Sequence, residues 1–392
     1  MAAENYNPEK NTGEYPVVKY KTHFLLFSVC LLFIPVSLSA GQNIHEQLTV
    51  RYAKGFQVEY RDAVTLVTVT NPWPGAKTRF SYLLKKRGTV TPPGYDDYQV
   101  VEVPVKRLIS LSTTHLAFLD ELGLVDRLVG FSSPDRVYTP SVRKAIAAGK
   151  VKKVGLGPNL QIETILDLQP DLILTYGSGT FRDAHPKLLE AGLKVAINGE
   201  YMESHPLGRA EWLKFVAVFF DKGKEAEHIF AAMEARYLKL ASLTKDINYR
   251  PPALTNTPFS GRWYVARGKS FAARFLADAG ADYIWKDLPG TGSMPMDIEM
   301  VYERGAEADF WINTGIWTTL AQAVQSAPRM ATFKAIREKR LYNRNRRVND
   351  SAANDYWESG MVQPDVILAD LIRIFHPELL PNHELYYYQR LP

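Results

Sequence analysis

The chain has 392 residues, 46% of them hydrophobic and 23% charged, with a formal net charge of +5. That length exceeds the size at which one core stays single, so two domains with additions are expected, and the composition excludes a disordered chain and a multi-span membrane protein. The mild positive charge forms no basic stripe with interleaved aromatics, so no nucleic-acid partner is expected.

The first element is the apolar run HFLLFSVCLLFIPVSLSA at 23 to 40, behind Lys19 and Lys21. At roughly 15 apolar residues it falls short of the ~20 of a spanning helix. Its basic flank and its small residues Ser37, Ser39 and Ala40 read as an export signal, giving a 1–40 targeting segment. Residues 1 to 18 are a polar leader that ordinary signals lack, which points to a start nearer Val17 or Val18; an uncleaved amino-terminal anchor is the alternative. Cys30, the sole cysteine, lies in this run, so a processed chain has no disulfide, thiol nucleophile or cysteine metal site. Phe27-Ser28-Val29 before it makes a poor lipidation signal, because the position ahead of a lipidated cysteine is normally small.

Residues 48–104 alternate in the strand period, through Val50/Tyr52, Phe56/Val58/Tyr60, Leu66/Val67/Val69, Phe80/Tyr82 and Val100/Val101/Val103, broken by NPWPG and TPPG. Such runs predict an annex of antiparallel hairpins. From 107 the rhythm becomes strand, helix, glycine, strand: RLISL, a helix over THLAFLDELG, RLVGF, the helix IETILDL, the strand DLILTY and then KVAIN, which imply an α/β lobe over 105–206. A helical linker over 207–247 follows, with one long helix near 224–246 whose Ala226, Ile229, Phe230, Met233, Tyr237 and Leu240 share a face. A second α/β lobe over 250–392 offers WYVA, a helix over SFAARFLADAG, DYIW, the helix IEMVYERG, the strand DFWIN, RLYN and a final helix from Pro364 to about Phe375.

The lobes echo one another. QIETILDLQPDLILTYGSG at 161 to 179 returns as DIEMVYERGAEADFWINTG at 297 to 315, with Asp171 leading to Gly177 as Asp309 leads to Gly315. Two lobes of one topology account for the repeat.

An export signal, a β annex, an α/β lobe, a long helix and a second α/β lobe together resemble the periplasmic substrate-binding proteins of ABC importers. The likeness is to the class with a helical backbone that carries iron complexes, vitamin B12, haem or metal ions. The phrases that carry it are KRLISLSTTHLAFLDELGLVDRLVG, NLQIETILDLQPDLIL, GKSFAARFLADAGADYIW and FHPEL, over roughly 105 to 380. The expected fold is therefore α/β, with two Rossmann-like lobes built on central parallel sheets and joined by one long helix, plus the N-terminal antiparallel β annex. The resemblance implies a periplasmic carrier, expected as a monomer without an intrinsic cofactor, that delivers its ligand to an inner-membrane permease. It also implies that Glu163 and Glu299, one on each lobe tip, meet that permease. A glutamate in the first turn of a helix is favoured by the helix dipole alone, which is the plainer account of both.

In open α/β sheets ligands collect beyond the carboxyl ends of the strands. That rule selects the loops SLSTTH, YGSGTFR, NGEYMES, WYVARGKS, NTGIWTT and RRVNDSAANDYWES, and within them His115, Tyr176, Arg182, Tyr201, Trp263, Arg267, Trp317 and Trp357 as ligand-binding candidates. Aromatics to stack and arginines to pair suit a bulky, partly acidic ligand. Strand alternation would instead turn Trp263 or Tyr264 into the core. For a bare divalent ion the weak candidates are His115, Glu200, His205 and Asp355, with no tight histidine pair among them. An iron complex such as a ferric siderophore needs no such set, because its chelator fills the inner shell; cobalamin and haem are the alternatives. GSGT at 177 to 180 and GTGS at 290 to 293 lack the residues that complete a dinucleotide or phosphate loop, and no G-x-S-x-G or H-E-x-x-H occurs. No enzyme is expected; an envelope enzyme or an adhesion module built on the annex is the reading from a different class.

Overall fold

The computed structural model describes residues 48–259 and 262–392. The apolar run, Cys30 and the polar leader lie outside the described residues. No helix among the described residues is long and apolar enough to cross a membrane.

The annex is a sheet of β1 (Phe56–Arg61), β2 (Val64–Val69), β3 (Phe80–Lys86) and β4 (Gln99–Val103), in that order. The first three strands are antiparallel, as the alternating pattern predicts, but β4 runs parallel to β3. TPPG is thus part of a crossover and not a hairpin turn. The crossover folds over one face, where Tyr95 and Tyr98 cover Val64, Leu66 and Leu83. Val50 and Tyr52, expected in a strand, belong to an irregular strap ahead of β1.

The first lobe carries a parallel sheet of β5 (Leu108–Ser110), β6 (Leu128–Phe131), β7 (Lys152–Lys153), β8 (Leu172–Thr175) and β9 (Val195–Ile197), in spatial order β7-β6-β5-β8-β9. Every residue of β5, β8 and β9 is buried, as expected of parallel strands covered on both faces. The covering helices are α1 (Thr114–Glu121), α2 (Pro140–Ala147), α3 (Ile162–Asp167) and α4 (His185–Glu190). The annex docks on the β9 edge. The Gln99 side-chain amide bonds both the N–H and the carbonyl of Val195, at 2.9 and 3.0 Å, and the Tyr82 hydroxyl accepts the N–H of Ile197 at 2.9 Å. These bonds occupy backbone groups that an exposed sheet edge would leave open.

Two helices form the linker. In α5 (Pro206–Val218) all 13 residues are buried; the helix starts where the His205 ring accepts the N–H of Leu207 and Pro206 takes the first helical position. A buried helix with charged residues must satisfy them. The Glu211 carboxylate accepts the N–H groups of Arg51, Tyr52 and Ala53 and pairs with Lys214 at 3.1 Å, while Glu203 accepts those of Lys54 and Gly55. Five consecutive amides of the strap are thereby tied down by two carboxylates. The long helix α6 (Gly223–Ser242) covers the predicted span within a few residues and buries Ala226, Phe230, Met233 and Tyr237 against α5 and against α11 of the second lobe (Pro364–Phe375). Over 20 residues it is about 30 Å long.

In the second lobe the chain passes through β10 (Pro252–Thr255), β11 (Pro258–Phe259), β12 (Arg262–Ala266), α7 (Phe271–Asp278), β13 (Asp282–Tyr283) and β14 (Ser293–Met296). It continues through α8 (Ile298–Gly305), β15 (Phe310–Ile312), α9 (Leu320–Ser326), α10 (Lys334–Arg337) and β16 (Leu341–Asn343), then α11, and ends on β17 (Gln389–Arg390). The main sheet has the order β13-β10-β15-β16-β17 and is parallel except for β17. WYVA is not in it. Trp263 and Val265 are buried and Arg262 and Tyr264 exposed, a one-sided pattern that suits an antiparallel strand, and β12 pairs with β11 and β14 in a separate small sheet. The strand that opens the lobe is PALT, β10, whose Pro252 sits at the first position, where a missing N–H is tolerated.

The repeat extends to single bonds. Asp171 donates its N–H to the Arg107 carbonyl and Asp309 donates its N–H to the Pro252 carbonyl, both at 2.9 Å, so each aspartate opens its strand against the lobe's first strand.

Candidate ligand-binding site

The carboxyl ends of β10, β15 and β16 place Thr255, Asn256, Asn313 and Arg344 along one wall of a cleft of about 410 Å³. Asn256 and Asn313 hold left-handed backbone angles, φ +65° and +61°, which asparagine tolerates better than most side chains and which turn the chain sharply off its strand. The α7 face of Phe271, Ala272, Phe275 and Leu276 forms a second wall, and Tyr201 and Arg209 close the cleft from the side of the first lobe. The Tyr388 hydroxyl donates to the Asn313 carboxamide at 3.0 Å and so fixes its orientation.

Charge in the cleft is one-sided. Arg209 is buried and bonded twice to Glu200, at 2.6 and 2.9 Å, with its guanidinium 4.2 Å from the Phe271 ring centre, so it is neutralised in place. Arg344 is not. Its guanidinium lies 5.0 Å from the Tyr356 ring centre and 4.5 Å from that of Trp357, and it pairs with no carboxylate among the described residues. No Asp or Glu lines the cleft. Stacking holds the planar group in position while leaving its N–H fork open.

A second concavity of about 440 Å³ lies at the carboxyl end of β8 and is lined by Tyr176, Ser178, Phe181 and Arg182. Tyr201 joins the two, for its hydroxyl donates to the Gly177 carbonyl at 2.6 Å, and burial pushes its pKa up to about 12. The loop is shaped by Asp183, whose carboxylate accepts the N–H groups of Ser178 and Gly179. From the annex, Trp73 of NPWPG lies against Gly177 and Gly179, where an added Cβ would stand 2.3 and 2.6 Å from its ring. Behind the loop Trp73 stacks on His185 with ring centres 5.3 Å apart. The annex therefore buttresses a cleft loop, a role its sequence did not announce. Phe181 and, on the matching loop of the second lobe, Ile316 are more than nine-tenths exposed.

Tyr176, Arg182, Tyr201 and Trp357 are thus brought to the two concavities. Four other candidates are not. Trp263 is fully buried, donating to the Thr255 carbonyl and stacked on Trp311, because strand alternation turns it inward. Trp317 donates to Ser326 and packs edge-on against Trp311. Arg267 folds back on its own loop and donates to the Pro289 carbonyl. His115 sits beneath β5, bonded to Ser110 at 3.1 Å, and burial lowers its pKa to about 3, so it stays neutral and structural. The weak metal set does not converge either. Glu200 is held by Arg209, Asp355 by Arg347 and His205 by the start of α5, and no group of three potential ligands occurs among the described residues. Asn256 escapes the sequence because Pro252, with Pro251 ahead of it, hides the strand β10, and Arg344 because it stands two residues before the loop RRVNDSAANDYWES; the strand-end rule applied to RLYN reaches it.

The lobes also meet outside the cleft. The buried Glu358 carboxylate accepts the N–H groups of Tyr138 and Thr139 at 2.8 Å and the Thr139 hydroxyl at 2.6 Å, and Asn349 donates to the Val137 carbonyl. Burial raises the Glu358 pKa and these bonds pull it back.

Residues 108–346 match the model of a family described as periplasmic binding proteins. The chain belongs to the periplasmic binding protein family. An uncharacterized lipoprotein of Methanocaldococcus jannaschii is 27% identical over 86% of this chain and 84% of its own length. Among solved structures, a periplasmic binding protein from Veillonella parvula superposes with a TM-score of 0.56 at 15% identity, over 82% of this chain and 98% of the other. An ABC-type Fe3+-hydroxamate transport system from Saccharomonospora viridis gives 0.53 at 20% identity, over 70% and 94%. At such identities the structural likeness establishes the two-lobed fold of a periplasmic binding protein, and the ligand rests on this chain's own residues.

Proposed function

We propose that the cleft captures a planar or bulky anionic metal complex, of the ferric-chelate class, and that the protein delivers it to an ABC permease. The observation that carries this reading is Arg344, whose guanidinium lies against Tyr356 and Trp357 and, among the described residues, pairs with no carboxylate in a cleft that none lines. An acidic ligand supplies the missing counter-charge, and the aromatic faces supply contact area. Arg182 on the opposite loop pairs with no carboxylate either and stands 5.5 Å from the Phe181 ring centre, which supports a ligand gripped from both lobes. The name of the Saccharomonospora neighbour supports iron carried by an organic chelator. A complex whose chelator fills the metal's inner shell suits walls of this composition better than a bare ion does.

The test is a titration of the protein with ferric citrate, a ferric hydroxamate, haem and cobalamin, followed by visible absorbance and by the intrinsic tryptophan fluorescence, to which Trp357 in the cleft contributes. An anionic ferric chelate is expected to quench that fluorescence, and Arg344→Gln to weaken its binding about 10- to 100-fold, the usual worth of a charged hydrogen bond. Silence towards all four ligands would overturn the proposal.

For delivery, Glu163 stands exposed at the start of α3 without a partner among the described residues. Glu299, at the matching place on α8, is gripped by Arg329 at 2.6 and 2.8 Å, which lowers its pKa. Docking through Glu299 therefore requires that carboxylate to leave Arg329. Reversing both to lysine is expected to leave ligand affinity intact and to reduce uptake; unchanged uptake would count against docking at these positions.

A further inference from the structure

Helix α7 stands between two cavities, and Ser270 at its N-terminus lines both. Its face of Phe271, Ala272, Phe275 and Leu276 lines the cleft, while Ala273, Arg274 and Ala277, rotated around the same helix, line a further cavity of about 480 Å³. This one is walled by the strap before β1, by the start of α5 and by the loop and strand around α7. Its lining includes Arg51, Lys54, His205, Lys269, Arg274 and Lys286 and no Asp or Glu. Three of the cations are answered from outside the lining: Arg51 by Glu234 at 2.6 Å, Arg274 by Asp278 at 2.8 Å and Lys286 by Asp282 at 2.5 Å. The amines of Lys54 and Lys269 have no partner among the described residues.

His205 and Ser270 add donors, whereas the Tyr52 and Tyr283 hydroxyls give their protons to Glu234 and to the Ala266 carbonyl. His205 accepts the Leu207 N–H through Nδ1, so the neutral ring carries its proton on Nε2; burial, with the Arg274 charge added, lowers its pKa to about 4. Ser270 accepts the Ala273 N–H and keeps its own hydroxyl proton to give. His205 and Ser270 also stand at the N-termini of α5 and α7, whose dipoles add positive potential.

We propose that this cavity is a second ligand site, distinct from the cleft, for an anion bearing phosphate groups. The cations without a partner among the described residues are lysines, compact point charges with rotatable donors, which can meet several phosphate oxygens without demanding one planar geometry. The volume lies within the ~300–1,000 Å³ of small-molecule sites, far above the need of a monatomic ion. The same chemistry belongs to a soluble diphosphate and to the headgroup of an anionic lipid. The inference does not depend on what the cleft binds.

The experiment is calorimetric titration of the full chain with sodium pyrophosphate at low ionic strength, beside flotation with phosphatidylcholine vesicles containing phosphatidylglycerol. Pyrophosphate is expected to saturate one site, the Lys54→Gln/Lys269→Gln variant to bind it at least tenfold more weakly, and Arg344→Gln to bind it as the parent does. Vesicle retention that the lysine substitutions abolish, with weak pyrophosphate binding, supports the site with a lipid as its source. Absence of both signals, or binding that the lysine substitutions leave within twofold, overturns it. So does a loss in Arg344→Gln equal to that in the lysine variant, since the anion would then sit in the cleft.

Discussion

Glu211→Ala is expected to destabilise the protein by about 3–5 kcal/mol, the range seen when a buried ion pair loses one partner. Glu211 is fully buried in α5 and serves several groups at once: the N–H groups of Arg51, Tyr52 and Ala53, and the Lys214 ammonium at 3.1 Å. Removing it leaves three amides without an acceptor and leaves buried Lys214 to the Thr49 carbonyl and Glu227. Each unsatisfied buried amide alone costs about 1–3 kcal/mol. Glu211→Gln keeps one acceptor oxygen and is expected to lose roughly half as much. Urea unfolding midpoints at neutral pH give the comparison; an alanine variant within about 1 kcal/mol of the parent would show that the strap is not held as described.

Trp73→Ala is the second large effect, expected near 3 kcal/mol, the low end for a deleted tryptophan because the ring is half-buried. The variant should also weaken ligand binding, since the ring backs the loop that lines the second concavity. The telling comparison is with Gly177→Ala. In the parent its Cβ would stand 2.3 Å from the Trp73 ring, so overpacking of about 1–3 kcal/mol is expected. With Trp73 already removed the same substitution should be almost free. Such non-additivity marks direct contact between neighbours; equal costs in both backgrounds would mean that Trp73 does not touch the loop in solution.

The periodic helices were legible in the sequence almost to the residue. Pro364–Phe375 and Ile298–Gly305 follow from a proline or a cap at one end and apolar residues at helical spacing along one face, and the long α6, which has neither, follows from that spacing alone to within a few residues. The repeat was legible too, down to Asp171 and Asp309. Strand assignment failed where local pattern and tertiary role part company. WYVA reads as a stronger strand than PALT, yet PALT, apolar and central, pairs with β13 and β15 and so sets the wall of the cleft. The site was half legible for the same reason. The strand-end rule finds loops, but burial decides which side chain leaves a loop for solvent, and Trp263 and Trp317 went inward while Arg344 stayed out. No local pattern could show that the annex reaches Gly177, because that contact depends on how the sheets dock at β9.

The strap has a mechanical meaning. The described chain begins at Leu48, and the bonds that hold it to α5 and to the residues just ahead of that helix are those of the Thr49 carbonyl with Lys214 and of Arg51 to Gly55 with Glu211 and Glu203. A pull along the strap is therefore shared between Lys214 and Glu211 of the fully buried helix that also carries Arg209, Glu203 just ahead of it and Glu227 of α6. The sheet of the annex, whose strands would peel one bond at a time, meets the start of the strap through the bond of the Leu48 N–H to the Tyr60 hydroxyl, and the carboxylates beyond it relieve that strand of the load.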